Sequence, residues 1–588
     1  MYEMDKFKRI IIGLHTNNKS GLHNLFTTEY SKHFEEPPKI FEYQGLAFRF
    51  SGTSARTPEK LVMKIYIPLE MLKITGLPED LIPVEDYVLR TLAQPVNELS
   101  ESYVNINKDG REKCSFQAQT VNEIITKRNG AVYDIGVTED FAEPTICVRI
   151  RVNIALINGV SVNGRSSFRA IKELLELIYK KVMEFDLTEC RHYIGVYQKQ
   201  RHIRKYLADN NYIAFIANGS ILPRYNGASS PMLNAVPFIS PPENEIKIEF
   251  GDGTAISGMG IKKGVTVITG GGYSGKSTLL DAVESGIYNH IPGDGREFVI
   301  TCDTALKIYA EDGRPVNNLD MSPFYKYFPN NADTRSFSTA HASGSVSQAA
   351  NIIEAVYAGS KLLLIDEDRS ATNFMIRDKN MRFVVEKEPI IPYTDRIREL
   401  YEDKDVSAVL VIGGSSEYLS YADTVILMDD YTAKNITGYV QSLDSLPAQN
   451  SEEQSACWTK ARYMIPIKTE KNTEFIYFQT INTENAKKIV LDEYSSDITL
   501  LTSLISENQL SMLAYIMEQF LILKDTDKQE LPQIINNLAE KLFSDNDGEF
   551  ITSYNFKAER WFENIRMIDV FCAVSRMRGL HFKNYQQI

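Results

Sequence analysis

The chain has 588 residues, a net charge of −13, 43% apolar and 24% charged residues, a balance ordinary for globular domains and long enough for three or four. It excludes a broadly basic surface, so any nucleic-acid site must be a local patch. It also holds no apolar run near the ~18 residues that span a bilayer, so no transporter membrane domain is expected.

Apolar Phe7, Ile10, Ile11 and Leu14 stand at helical spacing, with Gly21 as the expected stop. Alternation around Phe48, Phe50, Leu61, Met63, Ile65 and Ile67 predicts strands over 40–70, interrupted by a loop at 51–58. Residues 98–140 read as irregular β structure with a turn at Lys108-Asp109-Gly110. A strand is expected over 147–156, with Arg149 and Arg151 on one face, then helices over 167–185 and 187–210. Residues 213–242 are rich in turns. Candidate strands at 265–269, 297–301, 361–366, 406–412 and 424–428 alternate with helices, which predicts α/β architecture. Residues 441–456 read as a polar linker, and 500–544 and 557–579 carry helical spacing. The expected organisation is an N-terminal β-rich α+β domain (1–165), a helical segment and turn-rich lead-in (166–240), an α/β nucleotide domain (241–440), the linker (441–456) and a mainly helical C-terminal domain (457–588). The six cysteines and eight histidines lack metal-finger or redox spacing, which predicts reduced thiols and a cytoplasmic location.

The chemistry concentrates at 264–278. A buried strand runs into Gly270-Gly271-Gly272-Tyr273-Ser274-Gly275-Lys276-Ser277-Thr278, which has the spacing of a phosphate-binding loop. Glycines let backbone N–H groups turn inward around phosphates, and the following helix adds unpaired donors and a positive dipole end. Lys276 is placed to reach the β and γ phosphates of ATP, and the Ser277 hydroxyl to ligate Mg²⁺. Some 90 residues on, four apolar residues lead into Asp366-Glu367. Asp366 is the expected metal partner, and Glu367 the expected general base or water-orienting group. An ordinary strand ending in an acidic turn explains these acids alone, but not their pairing with the loop.

A second anion site is expected at Ser343-Gly344-Ser345, where a small-residue loop opens a helix that carries Gln348. A Ser-capped helix is the simpler explanation. Two such sites near one acidic strand point to ATP sandwiched between two copies of the chain. The segment 342–348 is similar to the signature motif of ABC-type ATPases, which serves the γ-phosphate of a partner subunit, and 368–373 resembles the loop that crosses their dimer interface.

The runs 270–280, 288–297, 343–354 and 365–378 more closely resemble a family described as predicted ATPases of the ABC class, with further likeness at 215–224, 235–238 and 557–560. Strong similarity covers roughly 145–430. The resemblance implies an ABC-type P-loop ATPase core, a soluble protein without a transport domain, ATP and Mg²⁺ as ligands, and a link to RNA binding. The chain departs from transport-type ATPases in two places. Residues 279–347 contain no Gln and residues 342–580 no His, so the usual switch groups are absent and slow or partner-gated hydrolysis is expected. Asn317, Asn318 or Asp320 stand where the Gln is missing, and Ser415 or Ser416 where the His is missing.

For a polymer, residues 191–206 interleave Lys199, Arg201, Arg204 and Lys205 with aromatics, which suits backbone phosphates and stacked bases. The solvated face of an amphipathic helix explains the same pattern. Arg149 and Arg151 form a second candidate and Lys557, Arg560, Arg566, Arg576 and Arg578 a third, each against the alternative of structural ion pairs. Three functions stay open: an ATP-driven dimeric clamp on RNA, a clamp that remodels protein, and a nucleotide-binding scaffold with negligible turnover.

Overall fold

The computed structural model describes residues 2–15, 17, 22, 39–52, 57–76, 79–104, 114–135, 143–225, 230–329, 331–377, 384–385, 387–443, 456, 458, 462–464, 478–483, 486–522, 529–543 and 560–584. Contacts divide the chain into one unit of Met1–Gly195 with Lys541–Asn564 and another of Val196–Glu540 with Ile565–Ile588. The expected stops and turns at Gly21, Lys108–Gly110 and most of 441–456 lie outside the described residues.

The first unit is built on an antiparallel sheet whose centre is the pair Lys60–Pro68 and Pro144–Asn153, in register at Met63↔Ile150 and Ile65↔Val148. Leu46–Gly52 flanks one side, and Ser115–Ala118 and Ala131–Ile135 flank the other. The helices Met4–Gly13, Ile82–Val104 and Gly164–Met183 bury their apolar stripes in the same core. Part of the stretch expected as irregular β is the end of the helix Ile82–Val104. Its signal is the helical spacing of Val84, Val88, Leu89, Leu92 and Val96, all buried, which outweighs Pro95 within it.

Two helices of this core approach closely at Gly164. A β-carbon built there would lie 2.0 Å from the Ile11 carbonyl oxygen, so the site admits only hydrogen. Asn163 caps the same helix by accepting the Ser166 N–H at 3.2 Å.

The second unit carries the α/β core. A six-stranded sheet runs in the order Ala305–Ile308, Leu362–Asp366, Ser407–Val411, Val265–Gly270, Thr424–Asp429, Thr432–Asn435, parallel except for the last pair. Leu362, Leu363 and Leu364 are fully buried, as a strand covered on both faces requires. The strand expected at 297–301 forms as Val299–Thr301, but in an antiparallel sheet with Tyr212–Ala217, Ala255–Lys262 and Glu245–Glu249. The parallel edge is instead Ala305–Ile308, too short to stand out by pattern. Towards the C-terminus, helices Glu507–Ile522, Leu531–Phe543 and Met567–Ser575 are joined by short antiparallel strands that include Ala486–Leu491 and Tyr494–Asp497. No described helix is long and apolar enough to cross a membrane.

Gly164→Ala should remove about 1–3 kcal/mol of stability by forcing the two helices apart. The check is a lower urea midpoint at an unchanged slope.

Candidate functional site

In parallel sheets ligands collect at the C-terminal strand ends. There the strand Val265–Gly270 turns into the helix Lys276–Ser285 through the glycine loop. Gly270 has φ +144, and a β-carbon on it would meet the Met428 carbonyl oxygen at 2.2 Å, so no other residue fits. Gly275, at φ +97, opens the helix. Gly271, Gly272 and Tyr273 are exposed, and Tyr273 is 98% exposed with φ +61. The Ser274 hydroxyl is buried and has no hydrogen-bond partner. Lys276 Nζ donates to the carbonyl oxygens of Gly270 and Gly271 at 2.9 and 2.7 Å, which holds the ammonium over the loop. Thr278 follows within the first turn.

The acidic strand ends beside this loop. Ser277 Oγ lies 3.3 Å from Asp366 Oδ2, bringing together two hard oxygens from segments 89 residues apart. That pair fits Mg²⁺, which takes one or two protein oxygens and fills its remaining positions with water and phosphate. Among the described residues no cluster of three His, Cys, Asp or Glu forms a self-sufficient metal cage. Asp366 Oδ1 also accepts the Asp368 N–H at 3.1 Å, fixing the carboxylate. Glu367 Oε2 accepts the N–H groups of Gly413 and Gly414 at 2.7 and 3.0 Å. Burial, then the Glu367 charge, pushes the Tyr418 phenol well above its ordinary value, so it stays neutral beside that acid.

The helix Gly344–Tyr357 begins at Ser343 without a side-chain cap. Ser343 is exposed and its Oγ lies 3.4 Å from Ser345 Oγ, so the small-residue loop faces solvent beside Gly344. Gln348, read from sequence as a nucleotide contact, is fully buried. Its Nε2 donates to Ser370 Oγ at 3.0 Å and its Oε1 accepts the Ala371 N–H at 2.8 Å, while Ser370 Oγ donates to the Asp366 carbonyl at 2.8 Å. It therefore ties the helix to the acidic strand and reaches no surface. Asn317 and Asn318 are likewise engaged elsewhere, at the backbone of Phe582.

Further along the buried face of that helix lies an ionic cluster that sequence spacing missed. Arg576 donates to Glu311 at 2.6 and 3.1 Å and to Asn351 Oδ1 at 2.8 Å. Arg314 bonds Asn351 and, at 2.7 Å, Glu354, which also lies 3.4 Å from Arg462. Burial works to raise the Glu311 carboxyl, but the Arg576 guanidinium outweighs it and holds the group below the ordinary carboxylate range.

The basic candidates separate. Arg149 is only 2% exposed and its guanidinium reaches the Asn129 carbonyl at 3.5 Å, so it cannot meet a polymer. Arg151 bonds Gln117 at 2.9 Å and lies over the Trp561 ring. Arg204 directs its guanidinium at the Thr301 and Gly286 carbonyls and Asn289, and Lys199 pairs with Asp252 at 3.1 Å. Arg201 and Lys205 are exposed, and with Lys263, Lys361, Asp303 and Asp405 they line an open cleft of about 530 Å³. In the C-terminal set, Arg566 and Arg578 are structural: Arg566 bonds Asp569 and the Asp303 and Ala305 carbonyls, and Arg578 bonds the Ala340 and Gly313 carbonyls. Lys557 lies outside the described residues.

Comparison with known proteins gives two family matches, ABC_ATPase, a P-loop domain, over 186–463 and MRB1590_C, the MRB1590 C-terminal domain, over 480–583. The chain is 30% identical over 289 residues to the uncharacterized protein MJ1628 of Methanocaldococcus jannaschii, covering 46% of this chain and 62% of that relative. Among solved structures, cbiO1 from Clostridium perfringens, part of the ABC transporter complex cbiONQ, is 14% identical with a TM-score of 0.24, over 40% of this chain and 92% of its own.

Arg576→Met should destabilise the second unit by about 3–5 kcal/mol, because Glu311 would be left buried and unpaired. Adding Glu311→Leu should recover most of the loss in chemical denaturation, since an apolar pair leaves no lone charge.

Proposed function

We propose that the chain binds and hydrolyses Mg-ATP as an ATP-sandwiched homodimer and couples this to a grip on RNA; the match of residues 186–463 to the ABC_ATPase P-loop domain supports the ATP part. The approach of Ser277 to Asp366 at 3.3 Å carries the nucleotide part. The amides of 271–275 and Lys276 bind the phosphates, while Ser277 and Asp366 hold the metal. Mg²⁺, when bound, neutralises charge developing on the transferred phosphoryl group. Glu367 orients the attacking water and takes its proton. The opening at exposed Ser343 and half-buried Gly344 and Ser345 offers helix N–H donors to the nucleotide of a second copy. The free thiols of Cys114, Cys147, Cys190, Cys302 and Cys572 suit the reducing cytoplasm.

The cleft lined by Arg201, Lys205, Lys263 and Lys361 supports the RNA part. Lys263, Lys361 and Asp405 each stand just before a parallel strand, so the cleft lies at the N-terminal ends of these strands, opposite the phosphate loop. Lys263 and Lys361 approach Asp405 at 3.0 and 3.5 Å, which holds both ammonium groups in place for backbone phosphate.

One observation favours a second reading, a scaffold with negligible turnover. Both N–H groups of the Gly413-Gly414 pair hold Glu367, the proposed base.

Two measurements decide. Glu367→Gln should lower ATP turnover at least a hundredfold while ATP affinity holds. Equal, near-background rates in both proteins would select the scaffold. Single-stranded RNA should bind with an affinity that falls steeply with salt and weakens in Lys205→Glu. No salt-sensitive binding in either nucleotide state would leave the protein-remodelling clamp.

A further inference from the structure

The order of strands sets the direction in which a nucleotide lies, and so where its base falls. Asp366 and Glu367 end the strand Leu362–Asp366, and Gly413 and Gly414 follow the strand Ser407–Val411. Both strands lie on one side of Val265–Gly270. A nucleotide whose terminal phosphate meets those acids points its base to the other side, where Thr424–Asp429 pairs with Val265–Gly270 in register from Thr266↔Thr424 to Gly270↔Met428.

That neighbouring strand returns at once as Thr432–Asn435, with Asp429↔Thr432 as the last antiparallel pair. The connection is two residues, Asp430 and Tyr431, with φ +45 and +65. Positive φ at both central positions is the tight hairpin turn that normally takes Asn-Gly or Asp-Gly, because only glycine is unstrained at the second position. Here the second position holds a tyrosine. Its ring is not buried in compensation, since Tyr431 is 54% exposed. One ring edge does have a fixed neighbour: a β-carbon built on Gly275 would lie 3.3 Å from Tyr431 Cδ1 and 3.6 Å from Met428 Cε. An aromatic residue in a strained position, held at one edge by the phosphate loop and open elsewhere, is poorly explained by folding and well explained by a ligand. Tyr273 is the alternative aromatic, but at 98% exposure it has no packing to hold its ring in one orientation.

We propose that Tyr431 is the platform on which the base of the bound nucleotide stacks, and that Gly275 is required to be glycine partly to seat its ring. The chemical class recognised is a nucleoside triphosphate with a flat aromatic base, the phosphates going to the loop and the base to Tyr431. This rests on the nucleotide reading given above.

The test compares ATP with inorganic tripolyphosphate, which has the phosphates and no base, on the full chain. Tyr431→Gly suits the left-handed backbone and so keeps the turn. It should weaken ATP about five- to a hundredfold, the range of a lost base–aromatic stack, and leave tripolyphosphate affinity unchanged. Tyr431→Trp should keep ATP affinity and show indole quenching by ATP but not by tripolyphosphate, above the background of Trp458 and Trp561. Undiminished ATP affinity in Tyr431→Gly, or equal losses for both ligands, would overturn the proposal. If the unaltered chain binds neither ligand, the nucleotide reading itself fails and this one with it.

Discussion

The buried ionic cluster around Asn351 and Glu354 is the constraint on which the second unit depends. Two arginines from the chain's last third, Arg462 and Arg576, reach Glu354, Asn351 and Glu311, and Arg314 closes the set. Such a cluster adds little net stability, because removing charges from water offsets most of their attraction. Its effect is positional, since mispairing would strand a charge in a dry interior. The helix Gly344–Tyr357 is thereby fixed along its buried face, and with it the exposed opening at Ser343. At its N-terminal end Gln348 joins the same helix to Ser370 and Ala371, one turn beyond Asp366. The helix is thus held at one end by the acidic strand and along its length by the C-terminal segment. Under the proposed function this is a mechanical link. A shift at the acids moves the donor loop offered to a second copy, and a load on the C-terminal segment is felt by the same helix.

What sequence made legible is what backbone chemistry demands locally. Gly270 must be glycine because a carbonyl stands 2.2 Å from where its β-carbon would be, and a run of glycines before Lys276-Ser277 carries that demand in its spacing. The acidic strand was legible because four buried aliphatic residues and two acids have few other uses. The strands and helices of the α/β core followed from the same periodicities, save for short elements such as Ala305–Ile308.

The rest was illegible because its partners are far apart or carry no sequence signal. Arg576 and Glu311 are separated by 265 positions, and a basic residue looks the same whether it meets RNA, a carboxylate or a carbonyl. Arg204 illustrates this, since two of its guanidinium contacts are the Thr301 and Gly286 carbonyls, backbone oxygens that every residue possesses. Gln348 was misplaced for a related reason: its position in the motif is visible, but the direction of its side chain is set by helix phase against Ser370. Tyr431 did leave a signal, a two-residue connection between β runs in which glycine is missing.

The absent switch histidine is a group whose chemistry backbone amides can supply. A side chain there would act by offering a hydrogen-bond donor to the terminal phosphate. Gly413 and Gly414 offer two donors from the backbone, and the structure shows them binding an anion, the Glu367 carboxylate. Paired amides of this kind are selective for negative charge rather than for a particular group. A carboxylate and a phosphate oxygen therefore compete for one pair of donors. While Glu367 holds them, its carboxylate has fewer lone pairs with which to accept a proton from water. Under the proposed function, a phosphate that took them would release Glu367 to face the attacking water. Under that same function, the donor pair of Gly413 and Gly414, just before Ser415 and Ser416, would both offer the hydrogen bonds of the missing histidine and hold the base.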